Sequence, residues 1–306
     1  MKKFYVFAAV AIAALASCTK SEVVYNQGQQ EIGFRQFTGS MTKANTNLSE
    51  LVGGPETMGV FAHISGSSNQ AYFSNAKFEK PASGNDWGGN PKRYWPLQNK
   101  LDFTVYAPYV EGTTYNATEG ILTVQVANNT NAQEDFLYGV ERYIDQAKTV
   151  VAVPVVLKHA LSKLSFQVKS NVSNLFTITK VELVDAIQDG SFKVTYGVET
   201  SIAPITGSTK GTCDVYNGSC VVTKDAYSQL GSKLVFPTGS GSNEAKLKIT
   251  YNMVDATGLV AVVNLNHDWS TGKHYTYNVD INATEILLTP TVEEWETATG
   301  TPITIN

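Results

Sequence analysis

Lys246-Leu-Lys-Ile-Thr-Tyr-Asn-Met253 sets Leu247, Ile249, Tyr251 and Met253 on one side of an extended chain and Lys246, Lys248, Thr250 and Asn252 on the other. Period two is the signature of a strand with one dry and one wet face. Thr276, Asn278, Asp280 and Asn282 alternate in the same way with Tyr275, Tyr277, Val279 and Ile281, and Ser165, Gln167 and Lys169 with Leu164, Phe166 and Val168. Leu101, Phe103, Val105 and Ala107 form a fourth apolar face, with Asp102, Thr104 and Tyr106 opposite, and Leu122, Val124 and Val126 a fifth. Turn-forming clusters separate such runs: Gly84 to Pro91, Thr238 to Asn243 and Asp255 to Gly258. No stretch sustains a helical period beyond a few turns, and Asp135 to Ala147 is the most ambiguous segment. The pattern predicts an all-β protein built of sandwiches.

The N-terminus is an export signal. Lys2 and Lys3 precede an apolar run from Phe4 to Ala16, which as a helix reaches only about 20 Å and is too short to span a bilayer. Leu15-Ala16-Ser17-Cys18 then places small residues beside a thiol, the arrangement of a lipobox, so residues 1–17 read as a lipoprotein signal peptide and Cys18 as the lipidation site. Residues 18–30 read as a polar tether. Removing residues 1–17 leaves 289 residues with 21 Lys and Arg against 27 Asp and Glu, a net charge of −6. Such a surface excludes nucleic acid as a natural partner. That length suggests two domains, with a break near Ala152-Val153-Pro154: an N-terminal sandwich over 31–153 and a C-terminal one over 154–306.

Catalytic and metal signals are weak, so no enzyme, cofactor or metal site is expected. His63, His159, His267 and His274 form neither an i, i+4 pair nor a Cys-His cluster, and His267-Asp268 reads as a turn. Glu134-Asp135 and Glu293-Glu294-Trp-Glu296 are adjacent acids, whereas glycoside hydrolysis needs carboxyls facing each other from separate elements. Trp87 and Tyr94-Trp95-Pro96 are either core aromatics or an exposed platform for sugar rings. The platform reading defines the alternative function, a monomeric surface glycan-binding lipoprotein. Cys213 and Cys220 flank Asn217-Gly218, a hairpin signal. A two-residue turn would leave them diagonal, and a longer loop from Val215 to Gly218 would oppose them for a disulfide.

Several segments in order along the mature chain resemble the fimbrillin family of lipoprotein pilin precursors. They are Glu31-Ile-Gly-Phe34 with Thr42-Lys-Ala44, Met58-Gly-Val-Phe-Ala62, Phe73 to Phe78, Tyr94-Trp-Pro96 with Leu101 to Tyr109, and Asp135-Phe-Leu-Tyr138. Val155 to Phe166, Trp269 to Tyr277 and Val292-Glu-Glu-Trp295 complete the set. The resemblance implies two tandem transthyretin-like β-sandwich domains and a structural subunit of cell-surface fimbriae that contributes to adhesion. It also implies a precursor lipid-anchored in the outer membrane, cut by a trypsin-like protease and joined to other pilin subunits head to tail.

In this sequence the strand to be removed is Glu31 to Phe37, where Ile32 and Phe34 share a face. Arg35 and Lys43 are the candidate processing sites. Arg35 lies inside the expected strand, and Lys43 lies in the polar loop from Thr38 to Asn47, at a position where relatives often carry arginine. Glu296 to Asn306, with Ile303 and Ile305 alternating, is the candidate donor.

Overall fold

The computed structural model describes residues 30–36, 56–67, 70–82, 86–123, 135–144, 152–171, 175–188, 190–195, 201–206, 209–238, 243–281 and 286–295. Residues 1–29, with Cys18, and Lys43 and 296–306 lie outside them. Among the described residues every regular element is a strand, as the alternation predicts. The first ten are β1 (Gly33–Gln36), β2 (Thr57–Ile64), β3 (Ala71–Glu79), β4 (Asp86–Gly89), β5 (Leu101–Ala107), β6 (Thr114–Asn116), β7 (Ile121–Thr123), β8 (Leu137–Ile144), β9 (Val153–Val155) and β10 (Lys158–His159). The rest are β11 (Ser162–Ser170), β12 (Thr177–Ile187), β13 (Gly190–Thr195), β14 (Ser201–Thr206), β15 (Lys210–Val221), β16 (Ser228–Val235), β17 (Lys246–Met253), β18 (Ala256–Asn264), β19 (Lys273–Ile281) and β20 (Ile286–Glu294).

One eight-stranded sheet runs β10-β8-β5-β2-β3-β4-β1-β9. Its two ends are consecutive in the chain: only Val156 and Leu157 separate β9 from β10, so the sheet curls until its edges meet. At that seam Gly139 of β8 is required, because a Cβ there would lie 2.7 Å from Val155 Cγ2 and 2.8 Å from the Val156 carbonyl oxygen. The enclosed core contains Ile32, Phe34, Phe78, Trp95, Phe103 and Val153. The break expected between residues 153 and 154 falls within β9, because the apolar run that begins there first closes this sheet and only then enters the next.

Beyond Leu161 two four-stranded sheets, β16-β11-β19-β20 and β15-β12-β17-β18, face each other over a second core that includes Phe166, Leu183, Ile249, Trp269 and Tyr277. β11 and β19 pair in parallel, and both bury every second residue as read from the sequence. The two units are therefore an all-β tandem. A fourth sheet, β14-β13-β7-β6, joins them, because β13 lies beside β7 with Phe192 opposite Leu122 and Lys193 opposite Ile121. A third core of Phe61, Tyr106, Phe136, Phe192 and Phe236 lies under it. This layer explains one departure from the sequence reading: Thr104 and Tyr106, on the expected wet face of β5, are 4% and 0% exposed. Asp135 to Ala147 resolves into strand β8 over its described part.

Candidate strand-exchange site in the first sheet

The leading residues of the described chain are built into the sheet on both sides. β1 pairs antiparallel with β4, placing Phe34 opposite Trp87 and Arg35 opposite Asp86. On its other side it pairs in parallel with β9, Phe34 beside Val153 and Gln36 beside Val155. Upstream, the Ile32 N–H donates to the Arg93 carbonyl at 2.7 Å, and the Trp95 N–H donates to the Gln30 carbonyl at 3.0 Å. Glu31 forms a bridge with Tyr94. The expected strand Glu31 to Phe37 is thus present through Gln36, and Phe37 lies outside the described residues.

Alternation sends Ile32 and Phe34 into the core, both at 0% exposure. Phe34 meets Phe78 and Phe103 edge to face, with ring centroids 5.0 Å and 5.1 Å away, a favoured geometry for aromatic pairs. Trp95 packs on the same Phe103 at 5.7 Å. Without β1, the facing edges of β4 and β9 would lose their partners and a slot the size of an isoleucine and a phenylalanine would open between them.

Arg35 points outward. Its guanidinium donates to both Asp86 oxygens, Nε to Oδ1 at 2.5 Å and Nη2 to Oδ2 at 2.7 Å, and the carboxylate raises its pKa by hydrogen bonding and charge. The peptide bond after Arg35 lies in the ladder beside Pro154 and Val155, so a protease reaches it only once β1 leaves the sheet. Lys92 pairs with Glu31 at 2.8 Å on the same outer surface.

The remaining sequence candidates fall into structural roles. Trp87 and Trp95 are 3% and 1% exposed, so neither offers a platform for a sugar ring, and both pack in the core beside β1. Cys213 and Cys220 lie on one continuous strand, β15, and no hairpin interrupts it at Asn217-Gly218. Their partners on β12 are Leu183 and Ile178, five positions apart or about 16 Å, beyond the reach of a disulfide. Both thiols are free, and burial pushes that of Cys213 up. Asn217 and Gly218 stay in the strand because β12 is long enough to pair the whole of β15 through register shifts.

Two histidine clusters escaped the sequence reading, since their members are distant in the chain. His274 of β19 lies 2.8 Å from Ser165 Oγ through Nε2 and 2.8 Å from Glu293 through Nδ1. That order resembles a charge-relay triad. It lies on the open face of a sheet, however, and β11 is paired on both sides, so the backbone N–H groups around Ser165 serve the ladder rather than a developing oxyanion. His159 of β10 is 5% exposed, stands 2.5 Å from Asp135 through Nδ1, and stacks flat on Trp295 at 3.6 Å with 9° between the planes. Among the described residues no three His, Cys, Asp or Glu side chains converge as metal ligands.

The fimbrillin-like family model matches residues 42–295, and the chain belongs to that family. Solved structures show the same fold at low identity. A candidate cell adhesion protein of Bacteroides uniformis matches with a TM-score of 0.59 and 17% identity, covering 87% of this chain and 98% of its own. A fimbrial protein of Bacteroides vulgatus matches with a TM-score of 0.59 and 16% identity over 87% and 99%. A third, a candidate adhesion protein of Parabacteroides distasonis, is 9% identical over 90% and 98%, with a TM-score of 0.56. A search of curated sequences finds no match.

Proposed function

We propose that this protein is a structural subunit of surface fimbriae that is exported as a lipoprotein and assembled by strand exchange. Cys18 carries the lipid that holds the precursor at the outer membrane, and a trypsin-like protease cuts in the segment after β1, with Lys43 the preferred site over Arg35. Release of β1 leaves a slot into which the C-terminal segment Glu296 to Asn306 of a neighbouring subunit inserts. Backbone pairing and alternate side chains of the donated strand then replace those of β1. Because donor and acceptor are different surfaces, the contact repeats without closing and yields a filament, the form suited to adhesion.

The observation that carries this reading is that β1 is an internal strand with both edges paired and Ile32 and Phe34 fully buried, although it lies at the start of the chain and precedes the segment where a cut is expected. Family membership supports the coarser role. The glycan-binding alternative loses its motivation with the burial of Trp87 and Trp95.

The test replaces residues 40–46 with a specific protease sequence, cuts the purified chain, and follows mass by light scattering and shape by electron microscopy. Filaments are expected only after the cut. An excess of a peptide spanning residues 30–37 should suppress them. A cut chain that sheds β1 and stays monomeric at high concentration refutes the assembly route.

A further inference from the structure

β18 ends the sheet β15-β12-β17-β18, so no strand among the described residues pairs with its outer side. The other edges of the three four-stranded sheets are guarded. β15 carries Lys210 and Asp214, β16 carries Lys233, β14 carries Pro204, β20 carries Pro290 and Glu293, and β6 has only three residues. Charge and proline on an edge keep a second strand away, and the nine residues of β18 have neither.

Both rows of side chains at the centre of β18 are apolar. Val260 and Val262 stand on the outer face and are exposed. Leu259, Ala261 and Val263 turn inward, opposite Tyr251, Ile249 and Leu247, yet stay only half-buried. β20, the edge of the facing sheet, approaches β18 on this side, and its Val292 is 46% exposed although Tyr275, its ladder partner, is buried. The flank of the second sandwich is therefore an apolar rim as well as an open ladder. The nearest charges on β17 are already neutralised: Lys248, opposite Val262, pairs with Glu182 at 2.8 Å, and Lys246, opposite Asn264, pairs with Asp185 at 2.9 Å.

The order of residues along the edge indicates what fits it. Leu259-Val-Ala-Val-Val263 has nearly the same character read in either direction. In an antiparallel pair centred on Ala261, Val260 of each copy stands opposite Val262 of the other on the outer face, and Leu259 opposite Val263 on the inner one. We propose that β18 is a self-recognition edge, at which two copies of this chain join about a two-fold axis through Ala261 and extend the four-stranded sheet to eight. Backbone hydrogen bonds hold the two strands together, and the cross-strand aliphatic pairs fix their register. No charge is desolvated on either side. Each copy supplies the same strand, so the contact is isologous and closes at two. One edge pair is a small interface, and the association is accordingly weak and governed by local concentration. This contact goes beyond strand exchange and needs no cut, since β1 takes no part in it.

Sedimentation velocity of the uncut chain over a concentration series tests it. A reversible equilibrium between monomer and dimer is expected, with no larger species. Val260→Lys combined with Val262→Lys should weaken dimerisation by about tenfold, because like charges then face each other across the axis. Val260→Glu combined with Val262→Glu should do the same. Mixed in equal amounts, the two double variants should recover the dimer, an outcome that misfolding cannot produce. A chain that stays monomeric throughout the series, a dimer indifferent to both double variants, or variants that do not recover on mixing overturns the proposal. Failure in the uncut chain leaves strand exchange untouched, whereas dimers of the uncut chain without filaments after the cut refute strand exchange alone.

Discussion

Phe34 shows how one side chain decides whether β1 is structural or removable. It is fully buried and touches two aromatic rings edge to face, so truncation leaves a cavity that these rings can only partly fill. Phe34→Ala should lower the stability of the uncut precursor by about 3–5 kcal/mol, measured by denaturant unfolding. A loss under 1 kcal/mol would mean that β1 contributes little to the sheet. Glu141 works against the same sheet. Burial pushes its carboxyl up to about 7 at the seam, opposed only by the Val156 N–H. A folded-state pKa above the unfolded value of about 4.3 means that the native state holds the proton more tightly, so its stability is full below about pH 4 and falls as pH rises through about 7. The penalty at higher pH is at most about 4 kcal/mol, and less because the group is partly exposed. Glu141→Gln should stabilise the protein at pH 8 and flatten the decline between pH 5 and pH 7.5, read from denaturation midpoints across pH.

β1 has only four residues, yet it joins β4 to β9 and so completes the curled sheet. Its ladder also shields Arg35, although that side chain reaches solvent and satisfies the charge preference of trypsin. Limited trypsin digestion of the folded precursor should therefore release no peptide ending at Arg35, and Phe34→Ala should make that cut appear by lowering the free energy of local opening. Early cleavage at Arg35 in the intact precursor would contradict the pairing. Among the longer edge strands β18 stands apart. Ala256 to Asn264 carries no charge and no proline, and Val260 and Val262 are 54% and 56% exposed. Native edges are commonly protected by such residues. Val260→Lys should reduce association at high concentration without changing the unfolding midpoint, as sedimentation and denaturation would show.

The two units share a sheet and a core, and this governs how the whole chain unfolds. β7 and β13 pair across them, and Phe192 stacks on Phe136 at 5.3 Å and lies 4.9 Å from Phe236. Calorimetry should record one cooperative transition. Phe192→Ala should split it in two, because it empties the core between the units while leaving each unit's own core intact. Two transitions in the unaltered chain would show that the shared sheet adds little coupling.

Strand identity was readable in the chain because alternation is local: one dry and one wet face leave period two wherever a single side is buried, as in β11, β17 and β19. The expectations of export and lipid attachment likewise rest on residue types in order along the chain. Folding alone settled what depends on distant partners. Tyr106 is buried because Phe61 and Phe136 close over its ring and Asn75 and Val110 bind its hydroxyl, β15 continues through Asn217-Gly218 because β12 pairs along it through register shifts, and His159 meets Trp295 because β10, at one end of the first sheet, lies beside the turn that opens β19. Such contacts leave no periodic trace in the sequence, since their energy comes from surfaces that exist only once the sheets have closed.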